Sequence, residues 1–264
     1  MNLQLENKTA FISGSTEGIG FAIAKGLACE GVKVMLNGRT EAKLQDAIDR
    51  LQAEVPETTI SGLTADFRDT AEIETLIKNL PAIDILVNNV GIYTSKSFAT
   101  TTDHDWEEML EVNLMSGVRL SRKLLPAMKK RNWGRILFVS SECAQLVPDD
   151  LIAYSTTKAA MLALSRGLAQ TTQGSGVTVN TVLPGSTLTK GAERFLDEKS
   201  KSEGLDIKEI SDRFFKEVRT SSLIERFLDP KEVADTIVYL SSPLSSATNG
   251  AAITLDGGSV SGII

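Results

Sequence analysis

Residues Ala10-Phe11-Ile12-Ser13-Gly14-Ser15-Thr16-Glu17-Gly18-Ile19-Gly20 put a short apolar run, three glycines and the start of a helical pattern in direct succession. Ala10 to Ile12 reads as a strand. Ile19 to Ala28 reads as a helix with Ile19, Ala22, Ile23, Gly26 and Leu27 on one face. The glycines between them allow a tight turn and let a bulky anion approach the backbone. The helix start offers free N–H groups and the positive end of its dipole to a phosphate. The stretch is not a P-loop, because no Lys-Ser/Thr pair follows Gly20. Its spacing is G-x-x-x-G-x-G, which also differs from the common dinucleotide spacing G-x-G-x-x-G.

The same alternation continues outward. Val32 to Leu36, Thr59 to Ala65, Ile83 to Val87, Ile136 to Val139, Val177 to Val182 and Ala252 to Leu255 read as six further strands. Amphipathic patterns separate them, among them Leu44-Ala47-Ile48-Leu51 and Ile73-Leu76-Ile77. Thr102 and Asp105 are spaced as a capping box, and Asp229-Pro230 as an N-cap with proline at N1. Strands separated by helices imply an α/β fold with a doubly wound, seven-stranded parallel sheet. No repeat or linker interrupts residues 1–264, which read as one domain.

Two helical patterns are apolar around much of their girth: Trp106, Met109, Leu110, Val112, Leu114, Met115 and Val118, and Ala159 to Leu164. Such helices are covered on more than one side, by a deep core or by a second subunit. A homotetramer or homodimer is expected. Residues 188–228 mix both charge signs with scattered apolar residues, and Ile207, Ile210, Phe214 and Val218 follow near-helical spacing. This segment reads as a helical insertion, either a surface pair or a lid. Its place beyond a strand's C-terminal end, where ligands of open α/β sheets bind, favours the lid.

Composition excludes several classes of function. A net charge of −6 argues against a general nucleic-acid binder, and no apolar run reaches membrane-spanning length. The N-terminal residues carry no signal-peptide pattern. Cys29 and Cys143 form no disulfide framework and fit a reducing cytoplasm. With His104 the only histidine, neither a metal site nor a histidine-based triad is expected.

Tyr154 and Lys158 stand four residues apart, on one face of a helix. A nearby ammonium favours a phenolate, so the pair can form an acid/base centre. Together with the glycine spacing, this pair resembles the short-chain dehydrogenase/reductase family. Asn88-Asn89-Val90-Gly91 is similar to that family's N-N-A-G segment, with Val90 in place of alanine. Asn113 and Ser141, the latter thirteen residues before Tyr154, match its catalytic asparagine and serine. Pro184, Gly185 and Thr189 resemble its P-G-x-x-x-T segment, which also contains Thr187, and Asp66 its adenine-contacting aspartate.

The resemblance implies a single-domain Rossmann-like fold and reversible hydride transfer between NAD(P)H and a carbonyl or alcohol. Catalytic roles then fall to Asn113, Ser141, Tyr154 and Lys158. Cofactor contacts fall to Gly14, Ser15, Thr16, Gly18, Ile19, Gly20, Asp66, Asn89, Gly91, Tyr154, Lys158, Pro184, Gly185, Thr187 and Thr189. Asn113 would anchor a water linking Lys158 to solvent. Gly38 occupies the place of the acid that binds the NAD ribose in such proteins, and Arg39 follows it. An arginine there can pair a 2′-phosphate, so NADP(H) is favoured over NAD(H), although Glu17 in the glycine loop points the other way.

The substrate is expected to be a small carbonyl or alcohol. The chain is also similar to bacterial 3-oxoacyl-[acyl-carrier-protein] reductases. The stretch Gln170 to Gly176 nevertheless lacks the basic residues that would dock an acidic carrier, leaving Lys129, Lys130 and Arg131 as the nearest such charge. A non-catalytic dinucleotide sensor is the less favoured alternative, since all four catalytic positions are kept.

Overall fold

The chain forms, in order, β1 (Thr9–Ile12), α1 (Gly18–Cys29), β2 (Lys33–Gly38), α2 (Glu41–Glu54), β3 (Ile60–Thr64), α3 (Thr70–Asn79), β4 (Ile85–Asn88) and α4 (Asp103–Met109). Then come α5 (Ser116–Lys130), β5 (Gly134–Val139), α6 (Cys143–Leu146), α7 (Ile152–Thr171), β6 (Val177–Pro184), α8 (Lys190–Glu203), α9 (Ile207–Glu217), α10 (Pro230–Ser241) and β7 (Ala252–Leu255). The computed structural model describes residues 1–262. All seven expected strands are present, with ends shifted by one to a few residues.

The strands form one parallel sheet in the order β3-β2-β1-β4-β5-β6-β7. Strand order reverses between β1 and β4, and that reversal opens a crevice at the C-terminal strand ends. Alternate residues feed two cores, because successive strand side chains point to opposite faces. Ile12, Leu36, Val87 and Leu137 pack beneath α1, α2 and α10 through Ile23, Leu27, Leu51 and Ile237. Phe11, Leu86, Phe138 and Val179 pack on the other face against Ile73, Leu120, Leu124 and Met161 of α3, α5 and α7. β5 and β6 are buried throughout, as central parallel strands covered on both faces should be. At the opposite end of the sheet, fully buried Arg135 donates to the carbonyls of Gly134, Gly176 and Ser242.

Both expected capping motifs form: Thr102 with Asp105 opens α4, and Asp229 with Glu232 opens α10. A third, Asp206 with Glu209, opens α9. Between α4 and α5 the helix widens into a π-turn over Leu110–Met115, which carries Asn113. Leu110 and Ala163 remain exposed, and Leu114, Met115, Val118 and Leu162 are only partly covered. The residue 188–228 excursion holds α8 and α9, but its buried face differs from the expected one. Ile210 and Phe215 are buried, whereas Ile207 and Val218 are exposed. The cause is an aromatic cluster in which Phe214 and Phe215 pack on Phe227, and Phe195 on Phe214. That cluster rotates the face away from the simple helical stripe. Among the described residues no helix is long and apolar enough to cross a membrane.

Candidate active site

The turn from β1 into α1 is built from both sides of the crevice. Gly14 and Gly18 have φ of +61° and +59°, values that L side chains rarely adopt. A Cβ on Gly20 would lie 2.5 Å from both Asn89 Nδ2 and the Gly14 carbonyl, so that position admits glycine alone. Asn89 Nδ2 donates to the carbonyls of Ser13 (3.0 Å) and Gly14 (2.8 Å). Asn37 at the end of β2 accepts from Gly14 N at 2.9 Å. Ser15 is turned inward, its hydroxyl donating to the Ile12 carbonyl and accepting from Asn37 N. It shapes the turn rather than facing the crevice. Arg50 donates to the Thr16 carbonyl at 2.8 Å. α1 begins with no side-chain cap, which leaves its first N–H groups open to an anion.

A cleft of about 480 Å³ lies over this turn, lined by Gly18, Ile19, Gly20, Asn89, Gly91 and Thr189 among others. A second cavity of about 750 Å³ adjoins it through Ile19, Tyr93 and Thr189. Its walls bring together Ser141, Tyr154, Pro184, Gly185 and Thr187 with Phe195, Phe214 and Arg219 from the α8–α9 excursion. Arg39 and Asp66 line neither space. Arg39 is exposed, and the Asp66 carboxylate accepts from Arg68 N at 3.0 Å and Nη1 at 3.4 Å. Arg68 itself, bonded also to Glu108, lines the cleft. A Cβ on Gly38 would come within 2.6 Å of Thr16 Cγ2, so the glycine turn itself occupies the room an acidic side chain would need there. Glu17 is paired with Lys190 at 3.8 Å.

Behind the cavity, Lys158 is buried, and its Nζ donates to the Val139 carbonyl at 3.0 Å. Ser140 Oγ donates to the Lys158 carbonyl at 2.9 Å. Asn113 is committed to its neighbours: Oδ1 accepts from Ile92 N at 2.8 Å, and Nδ2 donates to the Ile92 carbonyl and to Thr157 Oγ1. It therefore fixes the strand-end segment around Gly91 against α7. A Cβ on Gly91 would sit 3.3 Å from Lys158 Nζ and 3.5 Å from Asn113 Oδ1.

The electrostatics differ from the simple expectation for a phenol beside an ammonium. Burial pushes the Tyr154 phenol above its ordinary value, and the Ser141 hydroxyl draws it only partly back. Lys158 Nζ lies 5.5 Å from the Tyr154 ring centroid, and desolvation is the largest influence on the phenol. Burial also lowers Lys158 from 10.5 to about 8. Tyr154 is thus a neutral proton donor at ordinary pH, beside a lysine close to its own titration.

Several residues that hold the site were not singled out from the sequence: Ser13, Asn37, Arg50, Thr157 and Arg219. Their partners lie far off in the chain, so no local spacing marks them. Among the described residues no cluster of His, Cys, Asp and Glu could hold a metal.

A family model of the short chain dehydrogenases matches residues 8–200. An uncharacterized oxidoreductase of Bacillus subtilis, YvaG, is 44% identical over 260 residues, covering 98% of each chain. The 3-oxoacyl-[acyl-carrier-protein] reductase FabG of Aquifex aeolicus is 31% identical, covering 98% of this chain and 99% of its own. The crystal structure of L-sorbose reductase from Gluconobacter frateurii, complexed with NADPH and L-sorbose, superposes with a TM-score of 0.93 at 30% identity over the whole of both chains.

The buried lysine has a measurable consequence. Its folded value, about 8, lies below its ordinary 10.5, so between these values the unfolded chain binds the extra proton and stability rises with pH. From about pH 7 to about pH 9.5 the wild type should gain about 2 kcal/mol relative to Lys158→Met. Urea unfolding of both proteins at the two pH values measures this, and an unchanged difference would contradict the burial argument.

Proposed function

The chain belongs to the short-chain dehydrogenase family and is a dehydrogenase/reductase, and we propose that it reduces a small carbonyl compound to the alcohol with NADPH, using Tyr154 as proton donor. The observation that carries this reading is the gathering of Ser141, Tyr154 and Lys158 beside a cleft that runs over the uncapped start of α1. The open α1 terminus and the side-chain-free surfaces of Gly14, Gly18 and Gly20 fit a dinucleotide pyrophosphate. Gly18, Ile19 and Gly20 would hold it. Asn89, Gly91, Tyr154, Lys158, Pro184, Gly185, Thr187 and Thr189 would flank the nicotinamide half. Thr16, Arg39 and Asp66 would face the adenosine half.

A nicotinamide held there would supply the hydride that the carbonyl carbon accepts. Ser141 donates a hydrogen bond to the carbonyl oxygen, and Tyr154 passes its proton to that oxygen as the C–O double bond opens. A raised phenol value suits this direction, because the proton is in place before the hydride arrives. Lys158, cationic below about pH 8, then stabilises the resulting phenolate. Asn113 keeps the Gly91 segment and α7 in register. The α8–α9 excursion acts as the lid that keeps water out. Tyr154→Phe should lose turnover by at least about a thousandfold yet bind NADPH as the wild type does. NADPH oxidation and NADPH fluorescence measure the two, and full turnover in this variant would sink the mechanism.

The NADPH preference is supported by three features: exposed Arg39, the absence of a side chain at Gly38, and the NADPH bound to the L-sorbose reductase. Arg39→Ala should lower kcat/KM for NADPH about tenfold or more while leaving NADH use almost unchanged. A higher kcat/KM with NADH in the wild type would refute the preference.

Copies of the chain are proposed to associate through the uncovered apolar residues Leu110, Leu114, Met115, Val118 and Leu162 on α5, α7 and the π-turn between α4 and α5. A sizing column should show a dimer or tetramer, and elution at the 28.5 kDa of one chain would rule it out.

A further inference from the structure

Glu142 follows Ser141 directly, and its side chain is only 3% exposed. One carboxylate oxygen, Oε2, is sealed against Gly185, where an added Cβ would lie 2.8 Å from it, and has no hydrogen-bond partner among the described residues. The other, Oε1, accepts from Arg219 Nε at 2.7 Å and from Ser186 Oγ at 3.4 Å. A carboxylate this deeply buried needs a cation, and Arg219 is the cation that meets it. Arg219 comes from the end of the α8–α9 excursion, so the pair ties that excursion to the residue beside the catalytic serine.

The pair also has a free side. Arg219 Nη1 reaches the Val218 carbonyl at 3.3 Å, and Nη2 has no partner among the described residues. The guanidinium lies 5.7 Å from the Phe214 ring centroid and lines the same cavity as Ser141 and Tyr154. Glu142 cancels its charge, so it attracts a carboxylate weakly but still offers N–H donors to a neutral oxygen. The same cavity is lined by Ser186, Thr187, Asp149 and Asp150 and by Phe214 and Phe227, whose rings stack at 22°. Hydrogen-bonding groups and aromatic faces in one cavity suit a molecule that presents both hydroxyls and C–H surface.

We infer that Arg219, oriented by Glu142, is a specificity residue that donates to a hydroxyl oxygen of a neutral polyhydroxylated ketone. Arg219 touches the substrate, and Glu142 is a positioning residue acting through it. This rests on the reductase reading above and adds the class of ketone.

The test compares two six-carbon ketones, L-sorbose and 2-hexanone, in NADPH-oxidation assays. The wild type should favour L-sorbose by at least about tenfold in kcat/KM. Since Arg219→Met would strand a buried carboxylate, the informative variant is Glu142→Gln/Arg219→Gln, with NADPH fluorescence as the check on folding. In it the L-sorbose to 2-hexanone ratio should fall about tenfold or more, through KM for L-sorbose, and Arg219→Lys should keep part of the ratio. If the double variant fails to bind NADPH, a fall in the ratio for Arg219→Lys alone supports the assignment and an unchanged ratio overturns it. Turnover of 2-hexanone with no preference for L-sorbose, or an equal ratio in the folded double variant, overturns the assignment but leaves the reductase reading standing. A stronger preference for a keto acid of the same length than for L-sorbose also overturns it. NADPH binding with no turnover of any of the three ketones overturns the assignment of this ketone class and leaves the family membership standing.

Discussion

Everything at the site follows from the narrow contact between Gly20 and Asn89. With no Cβ on Gly20, the side chain of Asn89 can reach across the crevice and bond the Ser13 and Gly14 carbonyls. That sets the end of β1 against the end of β4 at the one place where strand order reverses. It also aims the start of α1 into the crevice. From there a line of backbone and hydrogen bonds runs to Lys158. The chain passes from Asn89 to Gly91 and Ile92, Ile92 is held by Asn113, Asn113 bonds Thr157, and Thr157 precedes Lys158. Lys158 closes the line on Val139 and Ser140 at the end of β5. The glycine turn and the Tyr154–Lys158 helix are therefore placed by one scaffold.

Two buried charges in that scaffold are managed differently. Among the described residues Lys158 Nζ meets only a backbone carbonyl, and burial drags its value down. Glu142 has a full counter-ion in Arg219. A charge without a counter-ion is costly in a folded protein and is found where chemistry uses it. Lys158, proposed above to stabilise the phenolate, fits that pattern. The Glu142–Arg219 pair is nearly neutral as a unit, and its effect is geometric: it ties the α8–α9 excursion to the segment that follows β5.

Much of this was legible in the sequence because the informative signals are local. Short runs of three to seven residues marked the strands, and Thr102–Asp105 and Asp229–Pro230 marked helix starts that did form. The glycine spacing and the Tyr154–Lys158 spacing pointed to the residues now found around the crevice. The failures share one cause, which is dependence on distant partners. Arg50 meets Thr16 across 34 positions, Asn113 meets Thr157 across 44, and Glu142 meets Arg219 across 77. The buried face of α9 was misjudged because Phe227, outside the helix, decides which side packs. The direction of the Tyr154 shift was misjudged because spacing reveals the nearby cation but not the depth of burial.

The amino-acid order by itself determined the α/β alternation, the glycine turn and the set of groups able to move a proton. Each rests on periodicity, on backbone freedom or on the chemistry of single side chains, and none needs a distant partner. Tertiary structure alone decided how deeply Tyr154 and Lys158 are desolvated. It also decided that Ser15 faces inward, that Gly38 has no room for an acid, and that Arg219 stands over the cavity. Those outcomes depend on desolvation and close approach, which exist only after segments far apart in the chain have been brought together.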